Sequence, residues 1–156
     1  MPLIDLTALP AHGALIGIDP GSKTLGVAVC DPDQRLATPV ETIARGRKLA
    51  PALNRLFEVM DARGVVGVVM GLPLNMDGTS GPRAQAARAL GRSLLAVRDM
   101  PLAYQDERLT TAQAERDMLA ADVSRARRAA SLDAAAATLI LQAALDRRAG
   151  GLTARI

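Results

Sequence analysis

The chain is poor in the side chains that usually announce a reactive site. Of its 156 residues only Phe57 and Tyr104 are aromatic, which excludes a broad base-stacking platform. A single cysteine, Cys30, excludes an internal disulfide and fits a reducing cytoplasm, the expected location. A single histidine, His12, excludes zinc fingers and sites built on paired histidines. No run approaches ~20 apolar residues, so no membrane span is expected. The opening MPLIDLTALPAHG carries Asp5 and no basic segment, unlike a secretory signal. Any metal chemistry must therefore rest on carboxylates, which select hard ions. Lysine is scarce as well: arginine supplies 17 of the 19 basic residues, against 16 acids, for a net charge of +3. Guanidinium is the better phosphate fork, so a polyanionic partner is favoured.

What is present describes one ordinary domain. Apolar residues make up 49% and charged residues 22%, enough for a single core and too apolar for disorder. No internal boundary is visible, so residues 1–156 form one unit, with 1–13 and 149–156 expected as peripheral tails. ALIGI (14–18) and LGVAVC (25–30) are apolar runs joined by Asp-Pro-Gly-Ser-Lys-Thr, a β-hairpin. Residues 35–43 give a weaker third strand, which Pro39 assigns to an edge or a bulge. Leu49, Leu53, Leu56 and Met60 recur at helical spacing, predicting a helix over 46–62 that Gly64 ends. VVGVVM (65–70) is a strand buried on both faces, as in parallel sheets.

A polar loop, Gly71 to Pro82, leads to a helix over 82–97, with Thr79 or Ser80 as its expected cap. PLAYQ (101–105) is a short strand. Thr110 and Gln113 form a capping box for a third helix. Residues 122–130 read as a basic connector, and Ser131 as the cap of a last helix over 132–147 with Leu132, Ala136, Leu139, Ile140 and Ala143 inward. The order β-β-β-α-β-α-β-α-α predicts an α/β domain of ribonuclease-H-like type: a mixed five-stranded sheet with helices on both faces.

Three carboxylates stand where such a fold gathers ligands. Asp19 ends the first strand, on the same face as Leu15 and Gly17. Glu107 follows the PLAYQ strand, at the strand end where sites of open sheets lie. Asp133 sits in the first turn of the last helix, where the dipole favours an acid, with Ala136, Ala137, Ile140 and Ala144 on its side. Small residues there allow the helix to approach the sheet and bring Asp133 towards Asp19. Three converging carboxylates repel unless a cation joins them. One or two Mg²⁺ or Mn²⁺ ions meet that need and suit in-line attack on a phosphodiester. The segment from Gly17 to Thr24 superficially suggests a phosphate loop, but Ser22 breaks the pattern. Lys23, Asn75, Arg83, Arg108, Arg125, Arg127 and Arg128 are the candidate nucleic-acid contacts, with Arg88 and Arg92 spaced along the same helix as Arg83.

GIDPGSKTLGVAV (17–29), GLPLNMDGTSGPRA (71–84), DERLTT (106–111) and LDAAAATLILQAAL (132–145) together resemble the four motifs of the YqgF family. The likeness spans residues 14–148, in order and at the family's spacing. That family is bacterial, ribonuclease-H-like and related to the resolvase RuvC. The resemblance implies Asp19, Glu107 and Asp133 as an acidic, metal-binding triad, in agreement with the residues chosen above. It implies a metal-dependent endonuclease that processes the 5′ end of precursor 16S rRNA, or alternatively a Holliday junction resolvase. One position departs from the family pattern. A basic residue commonly stands four before the helix aspartate; here that residue is Ala129, and Arg128 lies one earlier.

The same residues admit two other classes. A non-catalytic nucleic-acid-binding module could use the same fold. The hairpin turn also resembles a sugar-kinase phosphate loop, but such enzymes need two lobes and this chain has length for one. No heptad seam or aromatic dimer patch is visible, which favours a monomer or weak homodimer acting on structured RNA over a dimer resolving branched DNA.

Overall fold

The computed structural model describes residues 6–106 and 125–154, without the side chains of residues 7, 125–132 and 150–154. Five strands form one mixed sheet in the order β3-β2-β1-β4-β5: β1 (Ala14–Pro20), β2 (Thr24–Cys30), β3 (Ala37–Ala44), β4 (Val65–Leu72) and β5 (Leu102–Asp106). The hairpin pairs antiparallel, with Gly17 opposite Ala28 and Asp19 opposite Gly26. β4 runs parallel to both β1 and β5, so β1 is central, as its apolar run predicts. β3 lies at the sheet edge. Its register against β2 shifts by one residue after Val27, which faces Glu41, while Ala28 faces Pro39. Proline lacks the ladder donor, and edge and bulge together accommodate it.

Two helices cover one face. α1 (Ala50–Arg63) and α2 (Pro82–Val97) bury Leu53, Leu56, Met60, Leu90 and Leu94 against Ile16, Ile18, Val27, Val68 and Met70. α1 ends as expected: Gly64 takes the left-handed conformation (φ 61°) and donates its N–H to Met60 O. It begins later than expected, at Ala50, because Pro51 fits only its first turn. α2 departs from its predicted cap. Gly81 is the N-cap, with no side-chain cap bond, and Pro82 opens the helix. Thr79 instead donates its hydroxyl to Asp77 within the loop, 2.6 Å.

The last helix, α3 (Arg125–Ala154), covers the other face. The expected connector 122–130 is thus helical from Arg125, and Ser131 lies inside the helix rather than capping it. Ala137, Ile140, Leu141, Ala144 and Leu145 are its buried stripe, whereas Leu139 and Ala143 stay half-buried. Leu6 and Leu9 pack into the same cluster, so the expected N-terminal tail contributes to the core. The predicted capping box at Thr110 and Gln113 lies outside the described residues.

Candidate active site

The site is built where α3 crosses the hairpin. On the α3 side the sheet presents small residues at alternate positions: Gly17 on β1, Gly26 and Ala28 on β2, Ala103 on β5. A Cβ on Gly17 would lie 2.7 Å from Leu141 Cβ and 3.0 Å from Ala137 O. On Gly26 it would lie 1.9 Å from the backbone oxygen of Asp133. Real Cβ atoms do not come so close, so only glycine lets α3 lie on β2 here. Because Asp19 is the cross-strand partner of Gly26, this crossing brings the start of the Asp133 turn beside Asp19. Small residues were expected on the helix; the matching glycines in the strands complete the contact.

Electrostatics report the same closeness. Burial first, and then the neighbouring Asp133 charge, push the Asp19 carboxyl up to about 6, against the opposing charge of Arg83. The Thr24 hydroxyl donates a hydrogen bond to Asp133 Oδ2, fixing one carboxylate oxygen and leaving the other free to turn towards a ligand. A cleft of about 440 Å³ opens beside them, lined by Gly21, Lys23, Thr24, Arg45, Arg83 and Asp133, among others. Arg45 closes the wall over the hairpin turn: its backbone N–H donates to Lys23 O (2.8 Å) and its Nη1 to Gly21 O (2.8 Å).

The predicted residues are distributed as follows. Asp19 feels the charges of Asp133 and Arg83, and Asp133, Lys23 and Arg83 line one cleft. Asn75 braces its own loop, donating from Nδ2 to Thr79 Oγ1 (3.0 Å) while its backbone N–H donates to Thr79 O. Arg88 stacks over the Tyr104 ring, 5.6 Å from its centroid, on the flank of α2 away from the cleft. Glu107 and Arg108 lie outside the described residues; β5 ends at Asp106, immediately before them. Arg125, Arg127 and Arg128 fall in the first turn of α3, without described side chains. Among the described residues no third acid, histidine or cysteine joins the two aspartates.

Two cleft residues, Thr24 and Arg45, are absent from the sequence-based set. Thr24 follows Lys23 in the turn and alternates with Gly26, so strand period pointed to it. Arg45 had no such signal, because its place depends on a register that includes the bulge.

The donor set fits a hard divalent cation. Two carboxylates stand near each other, one partly desolvated and one held by a hydroxyl, and Arg83 offsets their repulsion only in part. They are followed in space by cations suited to a phosphodiester rather than by further acids.

Comparison with known proteins places the chain in a family. The chain is 55% identical over 150 residues to a protein of Bradyrhizobium sp. strain BTAi1, covering 96% of this chain and 92% of that one. It is 54% identical over 148 residues to one of Rhodopseudomonas palustris strain BisB18, covering 94% and 90%. Both bear the name "Putative pre-16S rRNA nuclease". Among solved structures, Thermus thermophilus RuvC in complex with a Holliday junction substrate superposes with a TM-score of 0.58 at 18% identity, over 89% of this chain and 97% of that one. At that identity the likeness speaks for the fold alone, which is ribonuclease-H-like. The RuvX family model, described as Holliday junction resolvase, matches residues 13–147, and the chain belongs to that family.

Proposed function

We propose that this protein is a metal-dependent endonuclease acting on structured nucleic acid, with the 5′ end of precursor 16S rRNA as its substrate in the cytoplasm. The single observation that carries it is the approach of α3 to the hairpin over Gly26, which sets the charges of Asp19 and Asp133 close enough to interact, beside a cleft walled by Lys23, Arg45, Arg83 and Asp133. The names of the relatives support RNA as the substrate. The family's description supports branched DNA as the second reading.

Asp19, Asp133 and Glu107 are assigned as the ligands of Mg²⁺ or Mn²⁺. When bound, such an ion supplies charge neutralisation and Lewis acidity for in-line hydrolysis of a phosphodiester. Asp19 lies on the central strand β1, a fixed support that suits a shared ligand position. Thr24 holds Asp133 in one rotamer. Lys23 and Arg83 orient the phosphate chain at the mouth. Arg108, Arg125, Arg127 and Arg128 are assigned as further phosphate contacts, and Asn75 keeps the loop before α2 in shape.

The test sets precursor rRNA fragments and four-way DNA junctions side by side with Mg²⁺, with Mn²⁺ and with EDTA. Metal-dependent cutting of the RNA is expected, abolished by EDTA. Cutting of the junction alone favours the second reading. No cutting of either, in either metal, overturns the nuclease assignment.

A further inference from the structure

The connection between β3 and α1 reads Arg45-Gly46-Arg47-Lys48. Arg45 lines the cleft and is tied to the hairpin turn through Gly21 O and Lys23 O. Arg47 and Lys48 follow at once, both exposed. None of the three is in an ion pair among the described residues, whereas Arg55 is paired with Glu41 and Glu58, and Arg98 with Asp61. Arg147 and Arg148, at the other end of α3, are bonded to Gln105 and Gln34. The molecule thus neutralises or engages several arginines elsewhere, ties Arg45 to the hairpin turn, and leaves Arg47 and Lys48 exposed and without an ion pair among the described residues.

The first turns of α1 and α2 carry no acid, although acids are favoured there. The topology sets the run apart from the other cationic wall. Arg45 leaves the edge strand β3, Arg83 enters on the helix after β4, and Asp19 lies on β1 between those strands. A polyanion lying across the carboxylates would meet Arg83 on one side and the Arg45–Lys48 run on the other.

We propose that the β3–α1 connection is a second phosphate-binding ledge, which carries the nucleic-acid backbone out of the cleft towards the start of α1. It rests on the reading of the cleft as a nucleic-acid site and assigns to Arg47 and Lys48 contacts with phosphates beyond the one cut. Such contacts carry no sequence information; they add affinity and salt dependence.

The experiment measures binding of an RNA hairpin with single-stranded arms across a salt series, in EDTA so that nothing is cut. The variants are Arg47→Ala/Lys48→Ala and a control of equal net charge, Arg35→Ala/Arg63→Ala, which removes exposed cations at the opposite end of the sheet. Losing two phosphate contacts lowers the log–log salt slope by about 1.4 to 1.8. Between 50 and 200 mM salt the wild type should therefore lose roughly tenfold more affinity than the Arg47/Lys48 variant. The control should keep the wild-type slope. An unchanged slope in the Arg47/Lys48 variant, or an equal drop in the control, overturns the ledge. Because binding is read without cleavage, a protein that cuts nothing yet shows the expected slopes would refute the nuclease assignment and leave the ledge standing.

Discussion

At the scale of single residues, Asp19 is the group whose environment works hardest against its charge. Its carboxyl titrates near 6 because burial and Asp133 both disfavour the ionised form. In the unfolded chain it titrates at the ordinary value, so folding of the metal-free protein takes up a proton between about pH 4 and 6. Its contribution to stability is therefore fully present at low pH and is lost as pH rises through that window. Asp19→Asn removes the ionisable group. Above pH 6, in EDTA, it should melt higher than the wild type, by on the order of 2 kcal/mol. A variant that melts well below wild type there would mark Asp19 as a structural turn residue. The same substitution should lower cleavage by about three orders of magnitude or more. Divalent-metal affinity of the wild type should fall steeply below pH 6, where the ion must displace that proton; calorimetry in buffers of different ionisation enthalpy would count it.

Thr24 acts through Asp133 rather than on the substrate. Thr24→Val keeps the shape and removes the hydroxyl that donates to Asp133 Oδ2. Metal affinity should weaken roughly tenfold to a hundredfold, the usual cost of losing a partner of a ligand. Thr24→Ser should restore it. Equal behaviour of the two variants would reduce Thr24 to a packing residue.

At the scale of elements, the crossing of α3 over the hairpin decides whether a site exists. Gly26→Ala places a Cβ against a backbone oxygen that cannot swing aside. The helix must shift, at about 3 kcal/mol or more by analogy with overpacked cores. Asp133 moves with it, so activity should fall further than stability accounts for. Gly46→Ala is the matched comparison, since a Cβ there meets nothing within 4 Å; its denaturant midpoint should stay close to wild type. If Gly26→Ala proves equally mild, the close approach of α3 to β2 is not what holds Asp133 in place.

At the scale of the whole molecule, metal and stability are linked. A cation that binds only the folded state raises the melting temperature by mass action. Mg²⁺ or Mn²⁺ should raise it in the wild type, EDTA should reverse the rise, and Asp19→Asn should show little of it. An identical rise in both proteins would move the binding site away from Asp19. The chain has no helix among its described residues long and apolar enough to cross a membrane. Its cationic features at the cleft end of the sheet come from three separate parts of the chain: Lys23 in the hairpin turn, Arg45 with Arg47 and Lys48 between β3 and α1, and Arg83 in α2.

Much of the architecture was legible before any coordinates. Alternation in the hairpin assigned Leu15, Gly17 and Asp19 to one face, Pro39 marked the edge strand, VVGVVM the buried parallel strand, and Gly64 a helix end. These are short-range properties: a period of two or 3.6, a missing N–H, a left-handed turn. The places of Asp19 and Asp133 are legible for the same reason, one at a strand end and one in a helical stretch. What only the tertiary structure decided is which of them meet. Asp133 and Thr24 are 109 residues apart, and their contact depends on the distance between a helix and a sheet, which two strand glycines set. Arg45 reaches the cleft through a register that a bulge displaces by one. The length of α3 was missed because its basic first turns lack an apolar stripe, so helix continuity there had no hydrophobic period to report it. Local pattern fixes the face a residue shares; convergence of distant faces depends on packing distance and register, which no short window contains.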